Sequence, residues 1–291
     1  MLSAAILIPA ILNGLLTGAV YALVALGLTL IYGVLHIINF AHGSLLMLAM
    51  YGALFLHAML GIDPYLALPI LVPVFFALGY ALQRGVIMPA SHGKDQNILL
   101  VTLGLAIVID NLALYLWTST TRTIDLPYAF EVIDLGFALV PIPRAIAFFG
   151  ALAVAGLLWL LIARTDLGRA IRAVAKERQG ARLVGIDVEH IYAMSFGIGT
   201  ACLAVAASLL MPTFYVTPQV GYAFVLIAFT TVVLGGMGSF EGALIGGFVL
   251  GAVEALGGLL LGESLGQIGI FVIFILVLLF RPTGLFGSRF A

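Results

Sequence analysis

The sequence predicts an all-α fold: a polytopic membrane helix bundle of eight or nine transmembrane helices, forming one domain over residues 1–291. Three observations predict it. Hydrophobic residues make up 63% of the chain and charged residues 9%, against about 45–50% and about 25% in an ordinary soluble domain; the mean hydropathy is +1.24. The apolar runs reach the ~20 residues that a helix needs to cross a bilayer core. They also lack the alternating polarity that the ~10-residue strands of a membrane barrel would show.

The apolar segments follow one another at about 5–33, 40–59, 65–88, 97–117, 144–163, 190–211, 222–236, 241–261 and 266–281. The first has no basic residue before it and is too long for a signal-peptide core, so it is expected as a membrane helix and not a removed leader. Pro64, Pro69 and Pro73 mark bends in the third. The seventh is short, bounded by Pro218 and by Gly235 and Gly236, and is expected as a re-entrant or broken helix. The connection 118–143, with Asp125, Glu131 and Asp134, is expected to form a short surface helix or cap. Cys202 is the sole cysteine, which excludes an internal disulfide.

Cations give the expected orientation, because Lys and Arg in short loops favour the cytoplasm. Loop 164–189 carries Arg164, Arg169, Arg172, Lys176, Arg178 and Arg182, half of the 12 basic residues. Following the alternation, Arg84, Lys94, Arg281 and Arg289 fall on the same side, leaving Arg122 and Arg144 opposite. The loop and the C-terminus are therefore expected inside, and nine crossings put the N-terminus outside.

Placed on a helix, Leu167, Ile171 and Val174 share one face of that loop, and Arg169, Arg172 and Lys176 the other. Gly180 is expected to break it, with a second short piece over Ala181 to Gly185. So long and amphipathic a connection fits a docking surface for a cytoplasmic subunit better than a plain solvated loop. No phosphate-cradling G-x-x-x-x-G-K-[ST] frame accompanies it, so hydrolysis of ATP, if it drives this protein, is expected on another chain.

Other polar features have weaker readings. Ionisable groups inside membrane spans are costly and often functional, which singles out Asp110 and Glu254 for ion coupling in a self-sufficient carrier. The plainer reading has them at the outer mouth or bonded within the bundle. Glu241, just after Ser239, fits helix N-terminal chemistry. Gly14 and Gly18, with Gly242, Gly246 or Gly247 and Gly251, have the small-xxx-small spacing of close helix contacts. Residues 19–53 and 223–256 share a helix–Gly turn–helix grammar, a faint internal repeat. In the stretch HIINFAHG, His36 and His42 are six apart and point to different helix faces, which removes a metal site. Asn39 is placed to cap the second helix or hold its bend, and Asn39 and His42 are open to facing either a pathway or a neighbouring helix. With five scattered histidines, one cysteine and no metal-hydrolase motif, the chain offers no catalytic set, no cofactor site and no nucleic-acid surface.

Three stretches together carry a resemblance: NGLLTGAVYALVALGLTLIYGVLHIINFAHGSLLMLAMYGA at 13–53, LGRAIRAVAKERQGARLVGIDV at 167–188 and VVLGGMGSFEGALIGGFVLGAVE at 232–254. The chain resembles the LivH-type permease of bacterial ABC importers for branched-chain amino acids, from about residue 10 to RPTGLFG at 281–287. The resemblance implies a multi-pass subunit of the bacterial inner membrane. Its implied partners are a LivM-like second permease, two cytoplasmic ATPase subunits that bind ATP and magnesium, and an extracytoplasmic substrate-binding protein. It implies an ATPase-coupling segment carried by Arg169, Ala170, Arg172, Ala173, Lys176, Ala181 and Gly185. It also makes Asn39, His42, Gly43, Ser239 and Glu241 candidates for the pathway or a helix hinge. The run Lys176-Glu177-Arg178-Gln179-Gly180 departs from the family's more usual polar-Asn/Asp-Pro-Glu pattern. Related permeases carry urea, short amides or other amino acids, so the resemblance implies a mechanism more narrowly than a cargo.

Overall fold

The computed structural model describes residues 4–91, 95–262, 265–281 and 283–286. Two of the cations that set the expected orientation, Lys94 and Arg289, lie outside the described residues, as do Pro282 and Gly287 of the C-terminal motif. All nine apolar segments are helical. In order they form α1 (Ala4–Leu35), α2 (His42–Leu60), α3 (Leu68–Leu82), α5 (Asp95–Trp117), α6 (Ile142–Arg164), α9 (Val188–Leu210), α10 (Val220–Gly235), α11 (Phe240–Leu261) and α12 (Gly266–Phe280). Between them stand the short α4 (Met88–Ser91), α7 (Asp166–Lys176) and α8 (Arg178–Leu183). A π-helical turn over Gln83–Ile87 joins α3 to α4, so the third segment crosses as one bent rod of 24 residues.

Seven of these helices are long and apolar enough to cross a membrane. The other two, α10 and α12, have 16 and 15 residues, short of the ~20 that a straight crossing requires. The sequence marks α10 as short through its flanking Pro and Gly residues; α12 carries no such sign.

The connection 118–143 departs from the helical alternative: it forms an antiparallel hairpin, β1 (Val132–Asp134) with β2 (Leu139–Pro141). Val132, Ile133, Val140 and Leu139 favour extended backbone, and Gly136 at φ +79 turns the chain between the strands. Beside the hairpin, Arg122 bridges Val216 of the α9–α10 connection through backbone bonds of 3.0 and 2.9 Å, and the Tyr128 hydroxyl donates to Asp63 at 2.6 Å. These contacts make a lid over one end of the bundle, here named the hairpin face; the opposite end is the α7 face.

The axis of the molecule is α1. Asn13 reaches the Leu139 carbonyl at the hairpin face, and the Leu35 carbonyl receives Arg178 at the α7 face, at 3.4 and 2.9 Å. Along this length α1 packs against α11, α9, α6 and α10. Its closest partner is the antiparallel α11, because glycines remove the side chains between them. A Cβ on Gly14 would lie 2.6 Å from the Gly251 carbonyl oxygen, and one on Gly18 at 2.6 Å from that of Gly247. In lipid, where apolar surface gains nothing from meeting more apolar surface, such backbone approach is the main source of helix association. The outward faces of α5 and α6 stay apolar, with Ile107, Tyr115, Phe149 and Leu157 exposed, as a bilayer solvent requires.

Candidate functional site

The basic loop folds as two helices pressed onto the end of the bundle. Thr165 begins α7, its hydroxyl accepting the Gly168 amide at 3.0 Å. Gly168 lets α7 double back against α6: a Cβ there would lie 2.2 Å from the Ile162 carbonyl oxygen. Ile171 and Val174 are buried, as the amphipathic pattern predicts, while Arg169, Arg172 and Lys176 lie on the exposed side. The expected break at Gly180 is corrected. The break falls at Glu177, whose extended backbone ends α7 and whose carboxylate accepts the Gln179 amide at 3.2 Å, so Gly180 lies inside α8.

The cations divide into two groups. Arg169 pairs with Asp166 on the surface, and Lys176 and Arg182 are exposed. Arg172 donates to the Ile162 carbonyl near the end of α6, and Arg178 donates to the Leu35 carbonyl that ends α1. Cations at helix C-termini satisfy carbonyls that the helix leaves open. Arg178 also lies 5.7 Å from the ring centre of Tyr192. Ala181 is buried beneath α8, and Ala170 and Ala173 are half-buried. Gly185 turns the chain at φ +85. At the tip between them stand Leu183 and Val184, 88% and 76% exposed. Sequence reasoning missed this pair; its sign was two adjacent apolar residues closing a helical turn in an otherwise charged loop.

The HIINFAHG stretch begins where Arg178 binds. After Leu35 the chain reverses, with His36 in the left-handed region at φ +59. Residues 36–41 then climb back into the bundle. His42 Nε2 donates to the Val24 carbonyl at 3.0 Å, a level about 16 Å up α1 from Leu35 at 1.5 Å per residue. The stretch lies at the end of α2 nearer the α7 face, and that end is deep inside the protein. His42 is fully buried against α1, and Asn39 Oδ1 accepts the Ala41 amide at 3.1 Å, turning the chain into α2. Asn39 Nδ2 and His42 Nδ1 have no bonded partner among the described residues.

A second helix starts at the same depth. A Cβ on Gly43 would lie 2.1 Å from the Gly221 carbonyl oxygen, and one on Gly221 2.6 Å from that of Gly43. The first turns of α2 and α10 thus touch backbone to backbone inside the membrane span, and the helices run on towards opposite faces. Near this contact Asp110 of α5, 7% exposed, faces Tyr222 of α10, and its Oδ1 has no bonded partner among the described residues. Glu254 stands apart, nearer the hairpin face, in the company of Tyr21 and Arg144.

At the α7 face, Ser239 caps α11, its hydroxyl accepting the Gly242 amide at 3.0 Å, with Glu241 exposed in the first turn. The GGMG turn before it lies against α1, with Gly238 Cα 3.7 Å from the Cβ position of Gly33. The C-terminal segment then returns to this turn. The amides of Leu285 and Phe286 donate to the carbonyls of Leu234 and Gly235 at 2.8 and 3.0 Å, completing the open end of α10. Four stretches that the sequence presents separately therefore meet around the last turn of α1: the basic loop, HIINFAHG, GGMGSFEG and the C-terminal motif. Asp110 and Glu254 lie away from that assembly and from each other.

Known proteins with this pattern are transport permeases. The family model described as branched-chain amino acid transport system / permease component matches residues 10–280. The chain is 36% identical to the high-affinity branched-chain amino acid transport system permease protein BraD of Pseudomonas aeruginosa, over 95% of this chain and 94% of that protein. It is 33% identical to the corresponding protein LivH of Escherichia coli K12, over 94% of each. Among solved structures, PsaBC from Streptococcus pneumoniae in complex with Fab shares the fold, with a TM-score of 0.53 and 15% identity over 94% of this chain and 92% of that one. The chain belongs to the family of branched-chain amino acid transport system permease components.

Proposed function

We propose that this chain is the membrane-spanning permease subunit of an ATP-driven importer for branched-chain or other hydrophobic amino acids, working by alternating access. The observation that carries the reading is the α7–α8 unit: an exposed apolar tip, Leu183 and Val184, on helices tied by Arg172 and Arg178 to the ends of α6 and α1. An exposed apolar pair rimmed by charge is the composition of a protein-docking point. The occupant is an ATPase subunit, one of two that bind and hydrolyse ATP on the cytoplasmic side. On this reading the α7 face and the C-terminus are cytoplasmic, in a bacterial inner membrane. The hairpin face receives an extracytoplasmic binding protein that delivers the cargo, and a LivM-like second permease completes the membrane unit. Closure of the ATPases pushes α8. The push passes through Arg178 to the last turn of α1, and from there to residues 36–43 and the α2–α10 contact.

Leu183→Asp combined with Val184→Asp tests this directly. Both side chains are exposed, so insertion and folding persist. Co-purification of the ATPase subunits and leucine uptake are expected to disappear together. Full uptake by the double variant, or ion-driven uptake by this chain alone in liposomes, would overturn the reading.

A further inference from the structure

Helices α3 and α6 both pack on α9, with a groove of about 370 Å³ between them. Its walls include Val72 and Phe76 of α3, Val154 and Leu158 of α6, and Ile198 and Cys202 of α9. Among the described residues, no side chain with nitrogen or oxygen lines it. Followed towards the α7 face, the three stripes change character together. Val72, Phe76 and Tyr80 of α3 recur every four residues along one side of the helix, and Arg84 of the π-helical turn continues the row. On α9 the stripe through Cys202 and Ile198 reaches His190, and on α6 Arg164 follows Leu161 by one turn.

At the groove's end these groups are organised. Arg84 Nη1 donates to the Tyr80 hydroxyl at 2.8 Å, and the Tyr80 hydroxyl lies 3.1 Å from His190 Nδ1. Arg84, Arg164 and His190 are exposed. Asp187 and Glu189, at the start of α9, lie within electrostatic range of Arg84. The rim therefore carries both signs of charge at the α7-face end of the apolar slot.

We infer that this groove is a specific phospholipid site, taking one acyl chain between α3 and α6 and a zwitterionic phosphoethanolamine headgroup at Arg84, His190, Asp187 and Glu189. The phosphate is held by Arg84 as a charge-assisted acceptor, and the primary ammonium by the two carboxylates. A groove this apolar gives a peptide nothing to bond its backbone with, whereas an alkyl chain needs nothing from it. The site lies on the flank of the bundle, away from the α2–α10 contact, and is independent of the cargo.

The test uses the transporter assembly extracted from membranes, delipidated in mild detergent and offered phosphatidylethanolamine, phosphatidylglycerol or phosphatidylcholine in turn, with retained lipid read by native mass spectrometry. Phosphatidylethanolamine is expected to be retained about tenfold more strongly than either competitor, the scale of one charge-assisted hydrogen bond. Glu189→Gln, which removes a carboxylate facing the ammonium, is expected to erase that preference, and Arg84→Gln to lower retention of all three lipids alike. Ala201→Phe, which fills the groove, is expected to remove retention altogether; should it misfold, the exposed Glu189→Gln still decides. Equal retention of the three lipids would mean an ordinary annular shell and would overturn the inference. So would wild-type behaviour in Glu189→Gln or in Arg84→Gln, or a crosslink placing a helix of the second permease in the groove.

Discussion

Arg178 shows why a residue's type is easier to read than its role. In the sequence it is one of six cations in a positive loop, and the candidate docking set contains Arg172 but not Arg178. In the fold both close helix ends, Arg172 on α6 and Arg178 on α1. That division depends on α7 doubling back at Gly168, a tertiary event that helical periodicity does not encode. Lys176, Arg182 and the Leu183–Val184 tip are left turned outward, with Arg169 held by Asp166 on the surface. Arg178→Ala is expected to lower uptake roughly tenfold, the scale of one hydrogen bond from a charged donor, while the ATPase subunits still co-purify. Loss of co-purification in that variant would assign Arg178 to docking and not to transmission.

Among the elements, the apolar segments were legible to within about three residues, because long apolar runs between polar breaks leave the backbone no alternative to a helix in lipid. The hairpin 132–141 was not legible, since two three-residue strands carry too little pattern to separate from a polar turn. The glycine spacing of α1 and α11 was legible as packing but named no partner; the structure pairs Gly14 and Gly18 with Gly251 and Gly247. A methyl group there meets a carbonyl on a rigid helix, not a movable side chain. Gly18→Ala is accordingly expected to cost about 1–3 kcal/mol, as overpacking does, seen as a lower thermal unfolding midpoint in detergent. Gly18→Leu is expected to yield no monodisperse protein. An unchanged midpoint for Gly18→Ala would mean that α1 and α11 separate freely.

For the molecule as a whole, the bias of Lys and Arg supplies an orientation that the fold then organises: the basic loop, the cap of α11 and the C-terminal motif all gather at one face. A chain with Leu183→Cys in a Cys202→Ala background is expected to react with a membrane-impermeant maleimide in inside-out vesicles and not in intact spheroplasts. The reverse result would invert every assignment of inside and outside. The candidate joint at HIINFAHG was legible as a polar interruption. Its depth was not, because how far residues 36–41 climb back depends on where α1, α9 and α10 leave room.

The meeting of Gly43 with Gly221 changes what closing the membrane means for such a protein. A continuous helix would have to tilt or rotate as a whole to open a path. Here two helix starts abut inside the span and lead away to opposite faces, with main chain against main chain at that depth. Glycine on both sides leaves little to interlock beyond the neighbouring Val225, and a displacement of a few ångströms parts the two main chains. On the proposed reading, neither face then needs to move far for a path there to open or close, and a cycle of small strokes suffices.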